Sequence, residues 1–119
     1  PDLALFSVGE DGHIASLFPN NSALQSEAKV AFVSCAPKLP SKRITITPRI
    51  VKGAVNVILV AAGEKKGCVL ADALTNPSAI AELPVRLTVG RTWILDECAH
   101  YAFKTRSPEN LHSTRIVHV

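Results

Sequence analysis

The sequence predicts an α/β protein with a mainly parallel sheet flanked by helices, Rossmann-like in plan and incomplete. Three observations carry this expectation. Strand-like apolar runs alternate with helix-like segments along the chain. Residues 3–8 and 55–62 are almost continuously apolar, without the alternation of a half-exposed strand, which suits strands covered on both faces. Both runs end at a glycine, Gly9 and Gly63, where strand gives way to loop. A buried strand starting at residue 3 also leads us to expect chain before it.

The elements follow in order. After the first strand comes the loop Gly9-Glu10-Asp11-Gly12, then a short helical turn entered at His13 and stopped by Pro19-Asn20-Asn21. Residues 29–35, with Val30, Phe32 and Val33, read as a strand. Residues 36–42 hold two prolines and read as loop. Residues 43–47 alternate Ile and Thr, a strand composition. Thr47-Pro48 reads as N-cap and first helical residue of a helix reaching about Gly53. Residues 64–74 space Val69, Leu70, Ala73 and Leu74 helically, closed by Asn76-Pro77. Thr92–Leu95 is a short strand, followed by a helix over 96–103 capped by Asp96. Residues 1–103 form the recognisable domain, and 104–119 a polar tail with little pattern.

Composition narrows the function classes. The 119 residues suffice for one core and are too few for two ordinary domains. With 47 % hydrophobic and 19 % charged residues, wholesale disorder is excluded. The apolar runs are too short to span a bilayer, so no membrane is expected. Thirteen Lys and Arg against ten Asp and Glu give +3, with the bases scattered. That favours an anionic partner without specifying nucleic acid, and none is expected. Three separated cysteines, Cys35, Cys68 and Cys98, define neither a disulfide framework nor a metal site. Cys35 and Cys68 read as buried small hydrophobes. With no leader pattern visible, a reducing, cytoplasmic setting is expected.

Two segments carry unusual chemistry. In Gly9-Glu10-Asp11-Gly12-His13, the glycines open backbone conformations and let a ligand approach the main chain. A neutral His13 imidazole can take a proton from water. Asp11 either orients that ring, holds substrate, or caps the turn; the same residues also suit a plain turn with a surface histidine. In residues 36–43, two prolines stiffen a loop presenting Lys38, Lys42 and Arg43, which suits a phosphate or carboxylate. A solvated basic loop is the alternative. Asp96, Glu97, Cys98 and His100 do not define a metal ligand set, and the acids suit a helix start. Gly63-Glu64-Lys65-Lys66-Gly67 either touches an anion or is a plain connection. Trp93 reads as core or pocket wall, and His112 and His118 get no role. Ser7 and Ser16 lack the Gly-x-Ser-x-Gly turn of a covalent serine hydrolase.

The block GEDGHIASLFP, residues 9–19, resembles the signature of the 6-phosphogluconolactonases. The order that follows also matches: a Pro-Lys-x-Pro loop with Arg43-Ile44-Thr45 behind it, a Thr-Pro helix, the strand ending Ala62-Gly63, a helix with Lys65, and Trp93-Ile94-Leu95-Asp96-Glu97. The likeness covers about residues 2–103. The related glucosamine-6-phosphate deaminases share Asp-Gly-His-Ile but continue Phe-Asn-Glu-Pro, where this chain has Ser16-Leu17-Phe18-Pro19.

The resemblance implies hydrolysis of 6-phospho-D-glucono-1,5-lactone to 6-phosphogluconate, with no metal or organic cofactor. It implies His13 as general base, Asp11 and Gly12 shaping the site, and Lys38 and Arg43 facing the phosphorylated substrate. It also implies a missing N-terminal half, because the family is considerably longer. Two alternatives stand beside it: a non-catalytic sugar-phosphate-binding fragment, and an amino-sugar-phosphate isomerase or deaminase.

Overall fold

The computed structural model describes residues 1–75, 79–106 and 114–119. Strand β1 spans Leu3–Ser7; β2 (Val30–Val33) and β3 (Arg43–Ile46) follow, then α1 (Pro48–Gly53) and β4 (Asn56–Ala61). Helix α2 (Glu64–Thr75), β5 (Thr92–Leu95), α3 (Glu97–Arg106) and β6 (Arg115–His118) complete the order. Single 3₁₀ turns occupy Ser22–Gln25 and Pro84–Thr88. The main sheet is four-stranded in the order β1-β4-β5-β6 and parallel throughout. The α/β class with a mainly parallel sheet is therefore observed. β2 and β3 stand apart as an antiparallel pair.

From β1 onward every crossover in the main sheet steps in the same direction. Right-handed crossovers of one direction put their connections on one face. That face carries Phe6, Val57, Leu59, Ala61, Trp93 and Leu95, all in the buried core with Leu70 and Phe103 from the helices. Each large side chain there contributes about 1.5–3 kcal/mol through burial. Trp93 is fully buried, and its Nε1 donates to Thr88 Oγ1 at 2.9 Å. It is core, not pocket wall.

The opposite face differs from expectation. The register aligns Leu5 with Ile58 and Thr92, and Ser7 with Val60, Ile94 and Val117. Here Leu3 is 55 %, Leu5 65 % and Val60 41 % exposed, so this face of a parallel sheet is open. The continuous apolar runs signal a face built for cover, while the crossovers among the described residues supply cover on one side only.

Other local differences have plain causes. Residues 13–18 form no helix. Ile14 instead bridges to Val8 and Leu17, and Ala15 turns at φ 49°. Thr47 sits at the N-cap of α1, but its hydroxyl does not cap the helix. It donates to the carbonyl oxygens of Ala28 and Lys29, tying α1 to the start of β2. Cys35 and Cys68 are not the buried residues expected: Cys35 is exposed in the β2–β3 hairpin loop, and Cys68 is half-buried on α2. The segment 104–119 holds the last turn of α3 and β6. The closing residues Asn76-Pro77 and His112 lie outside the described residues.

Asp96 caps α3 as expected. Its Oδ1 accepts from Ala99 N–H at 2.8 Å and also from Gly63 N–H at 3.1 Å, joining the loop after β4 to the start of α3. These two bonds hold its carboxyl below the usual value; burial opposes them, and the nearby His118 adds to the lowering. Helices α2 and α3 pack closely through Gly67, where a Cβ would lie 2.2 Å from the Ala99 carbonyl oxygen.

Candidate active site

The loop after β1 opens at the carboxyl end of the sheet, where parallel α/β sheets bind ligands. It turns tightly: Gly9 N–H donates to His13 O at 2.9 Å, and Gly12 N–H to Gly9 O at 3.0 Å. Gly12 has φ +89°, a region that favours glycine. Val85 N–H donates to Gly12 O at 2.8 Å, and the Leu83 side chain fills the space beside Gly12. The segment entering Pro84–Thr88 therefore braces the turn, a role that sequence reading missed.

Three neighbours hold the His13 ring. Asp11 Oδ1 accepts from His13 N–H at 3.1 Å and lies 2.5 Å from Nδ1. Burial pushes the Asp11 carboxyl up, but the side-chain and backbone hydrogen bonds from His13 and its charge outweigh this, and the net shift is downward. An ionised carboxylate only accepts, so Nδ1 carries the hydrogen, and in the neutral ring Nε2 is the nitrogen with the lone pair. The ring also occupies the space a side chain at Gly9 would need: a Cβ there would lie 2.1 Å from Cε1. Finally, the Phe18 ring lies 4.7 Å from the imidazole, centroid to centroid, at 41°. The His13 side chain retains 18 % exposure.

The basic loop belongs to the β2–β3 hairpin, so it is not the carboxyl-end loop of a parallel strand. It reaches the first loop sideways. Ser16 N–H donates to Thr45 Oγ1 at 3.1 Å, and the Arg43 guanidinium lies 5.3 Å from the Phe18 ring centroid. Arg43 is largely engaged within its own loop. Nε donates to Pro40 O at 2.9 Å, and Nη2 to Lys38 O and Leu39 O at 3.0 Å each. Among the described residues nothing takes a bond from Nη1. Lys38 and Lys42 are exposed. His13 and Arg43 thus flank Phe18, with Asp11 and Gly12 on the His13 side and Lys38 held to Arg43 through its carbonyl.

Of the other sequence candidates, Lys65 reaches the edge of the first loop and the rest sit apart. Lys65 lies 4.0 Å from Glu10, both exposed. His100 stacks on His118 at 4.3 Å. Among the described residues no group of three or more His, Cys, Asp or Glu side chains converges for a metal, and no helix is long and apolar enough to cross a membrane.

Fold and loop together define a parallel α/β protein whose first carboxyl-end loop presents a carboxylate-held imidazole beside a basic hairpin. The model of the family glucosamine-6-phosphate isomerases/6-phosphogluconolactonase matches residues 1–94. The chain belongs to this family. It is 45 % identical over 87 residues to the 6-phosphogluconolactonase of Borreliella burgdorferi, covering 72 % of this chain and 37 % of the relative. It is 41 % identical over 118 residues to the human 6-phosphogluconolactonase, covering 95 % of this chain and 45 % of the relative. The solved 6-phosphogluconolactonase of Trypanosoma brucei superposes with a TM-score of 0.68 at 28 % identity, covering 84 % of this chain and 41 % of that one. The chain spans less than half the length of these relatives.

Proposed function

We propose that this chain carries the water-activating part of a 6-phosphogluconolactonase, hydrolysing 6-phospho-D-glucono-1,5-lactone to 6-phosphogluconate in the oxidative pentose phosphate pathway of the cytoplasm. The observation that supports it best is the His13 ring, held through Nδ1 by Asp11 at 2.5 Å, with no partner on Nε2 among the described residues. His13 Nε2 takes a proton from water as its oxygen attacks the lactone carbonyl carbon. The tetrahedral adduct then expels the ring oxygen, which receives that proton from the imidazolium as the C–O bond breaks. A lactone is an activated ester, so one placed base contributes usefully, about 10²- to 10⁴-fold. Asp11 keeps the ring in its tautomer and steadies the imidazolium. Gly12 shapes the floor of the site. Lys38 and the remaining Nη1 of Arg43 hold the phosphate, whose binding positions the distant carbonyl.

The open face and the free edge of β1 give the rest of the site its place. An N-terminal half would add strands beside β1 and cover Leu3, Leu5 and Val60, closing the pocket beside the His13 loop. The substrate is a small phosphorylated lactone, and no nucleic acid is involved.

The test is lactone hydrolysis above the spontaneous rate, measured for the chain and for His13→Ala beside a titration with 6-phosphogluconate. Loss of the catalysed rate in His13→Ala with binding retained is expected. Full activity in His13→Ala overturns the mechanism. Saturable binding without turnover in the unmodified chain instead favours a non-catalytic binding fragment.

A further inference from the structure

The reaction requires the base and the phosphate-holding loop to stay within the reach of one small molecule, because the lactone carbonyl and the phosphate are joined through the ring oxygen, C5 and the C6 arm. Phe18 touches both sides of that span. Its ring lies 4.7 Å from the His13 ring and 5.3 Å from the Arg43 guanidinium carbon. It is 1 % exposed and part of the buried core, so it has little freedom to swing away. Arg43 is bonded to the carbonyls of Lys38, Leu39 and Pro40, so loop and guanidinium move as one body. Ser16 N–H on Thr45 Oγ1 keeps the two segments in register just beside this contact. On the other side Gly9 backs the imidazole and Asp11 holds Nδ1.

We propose that Phe18 is a positioning residue that couples the basic loop to the base, so that an anion held at Lys38 and Arg43 sets the working orientation of His13. Packed side chains with few alternative arrangements transmit such shifts. The coupling rests on the reading of His13 as base and residues 36–43 as the anion holder. It is separate from the direct field of the anion on the imidazole, which acts through space whatever residue stands at position 18.

The experiment is a titration with inorganic phosphate, followed by NMR at the His13 ring protons and at the amides of Lys38 and Leu39, in the full chain and in Phe18→Leu. In the unmodified chain, ring and amides respond with one midpoint. In Phe18→Leu at saturating phosphate, the amides still respond and the His13 response falls to the part carried by the direct field. Arg43→Lys, which keeps the charge but gives up the planar fork across three carbonyls, shows the same loss at phosphate concentrations where its Lys38 and Leu39 amides still respond, and decides the matter if Phe18→Leu does not fold. A His13 response that persists undiminished in the variants overturns the coupling, as does an unmodified chain whose amides respond while His13 does not. A chain in which neither responds removes the anion-holding reading, and the coupling with it.

Discussion

A methyl group at Gly9 provides a sharp test of how the imidazole is held. The added Cβ would lie 2.1 Å from Cε1 and 2.2 Å from Nδ1 of His13, roughly 1.3 Å short of the 3.4 Å at which ordinary contact begins. The ring must give way by more than the Asp11 hydrogen bond tolerates at its 2.5 Å length. Gly9 is not among the positive-φ glycines, so alanine meets no backbone strain there. Overpacking costs about 1–3 kcal/mol in a tight core, and this site falls at the low end because His13 can swing outward from 18 % exposure. A base displaced by about 1 Å loses on the order of 10²-fold in rate. Gly9→Ala is therefore expected to keep its fold and lose its activity. The assay pairs lactone hydrolysis with a thermal melt, and ring NMR reports release of Nδ1 from Asp11. A variant with the original rate and ring spectrum, or one whose loss of rate simply tracks unfolding, refutes the reasoning.

Three further outcomes follow from the geometry. Because the folded Asp11 carboxyl sits below the ordinary aspartate value of 3.8, its stabilising contribution is present above that pH and is lost as pH falls through the folded value; pH-dependent melts of the unmodified chain and Asp11→Asn should converge there, and parallel curves would contradict the pairing. Gly67→Ala opposes two effects: helix propensity favours alanine by about 1 kcal/mol, but the Cβ would meet the Ala99 carbonyl at 2.2 Å. Backbone against backbone cannot yield by a rotamer change, so a net loss of about 1–3 kcal/mol and a melting point several degrees lower are expected; an unchanged or raised melting point would sink this. Asp96→Ala should speed hydrogen exchange at the Ala99 and Gly63 amides together, since one oxygen holds both; acceleration at only one of them would show that the bridge is not shared.

Much of the fold was legible because it rests on local chemistry. β5 coincides with its sequence reading at Thr92–Leu95. Asp96 precedes its helix as a capping residue should, and the Ile–Thr alternation marks β3. What escaped the sequence depends on distant partners. β6 has only Ile116 and Val117 as an apolar pair, and it owes its place to pairing with β5. Ile14 looks helical in isolation, yet its backbone is taken by Val8 and Leu17. The site divides in the same way. The short spacing of Asp11 and His13 makes their pairing legible. Arg43 reads as a free cation, and only the curl of the proline loop brings three carbonyls within its reach. No sequence signal announces that the space above Gly9 is filled by an imidazole, or that Leu83 supports Gly12.

The one-sided placement of the helices has a practical corollary for handling the chain. On the folded 119-residue chain by itself Leu3, Leu5 and Val60 are exposed, so a dye such as ANS has somewhere to bind while β1 and β4–β6 are in place. Fluorescence enhancement, ordinarily taken as the mark of a loosened intermediate, would here accompany a well-ordered molecule with intact near-ultraviolet dichroism around Trp93. Detergent or a co-expressed complementary segment, more than any substitution in the interior, is the lever for keeping such a molecule dispersed at high concentration.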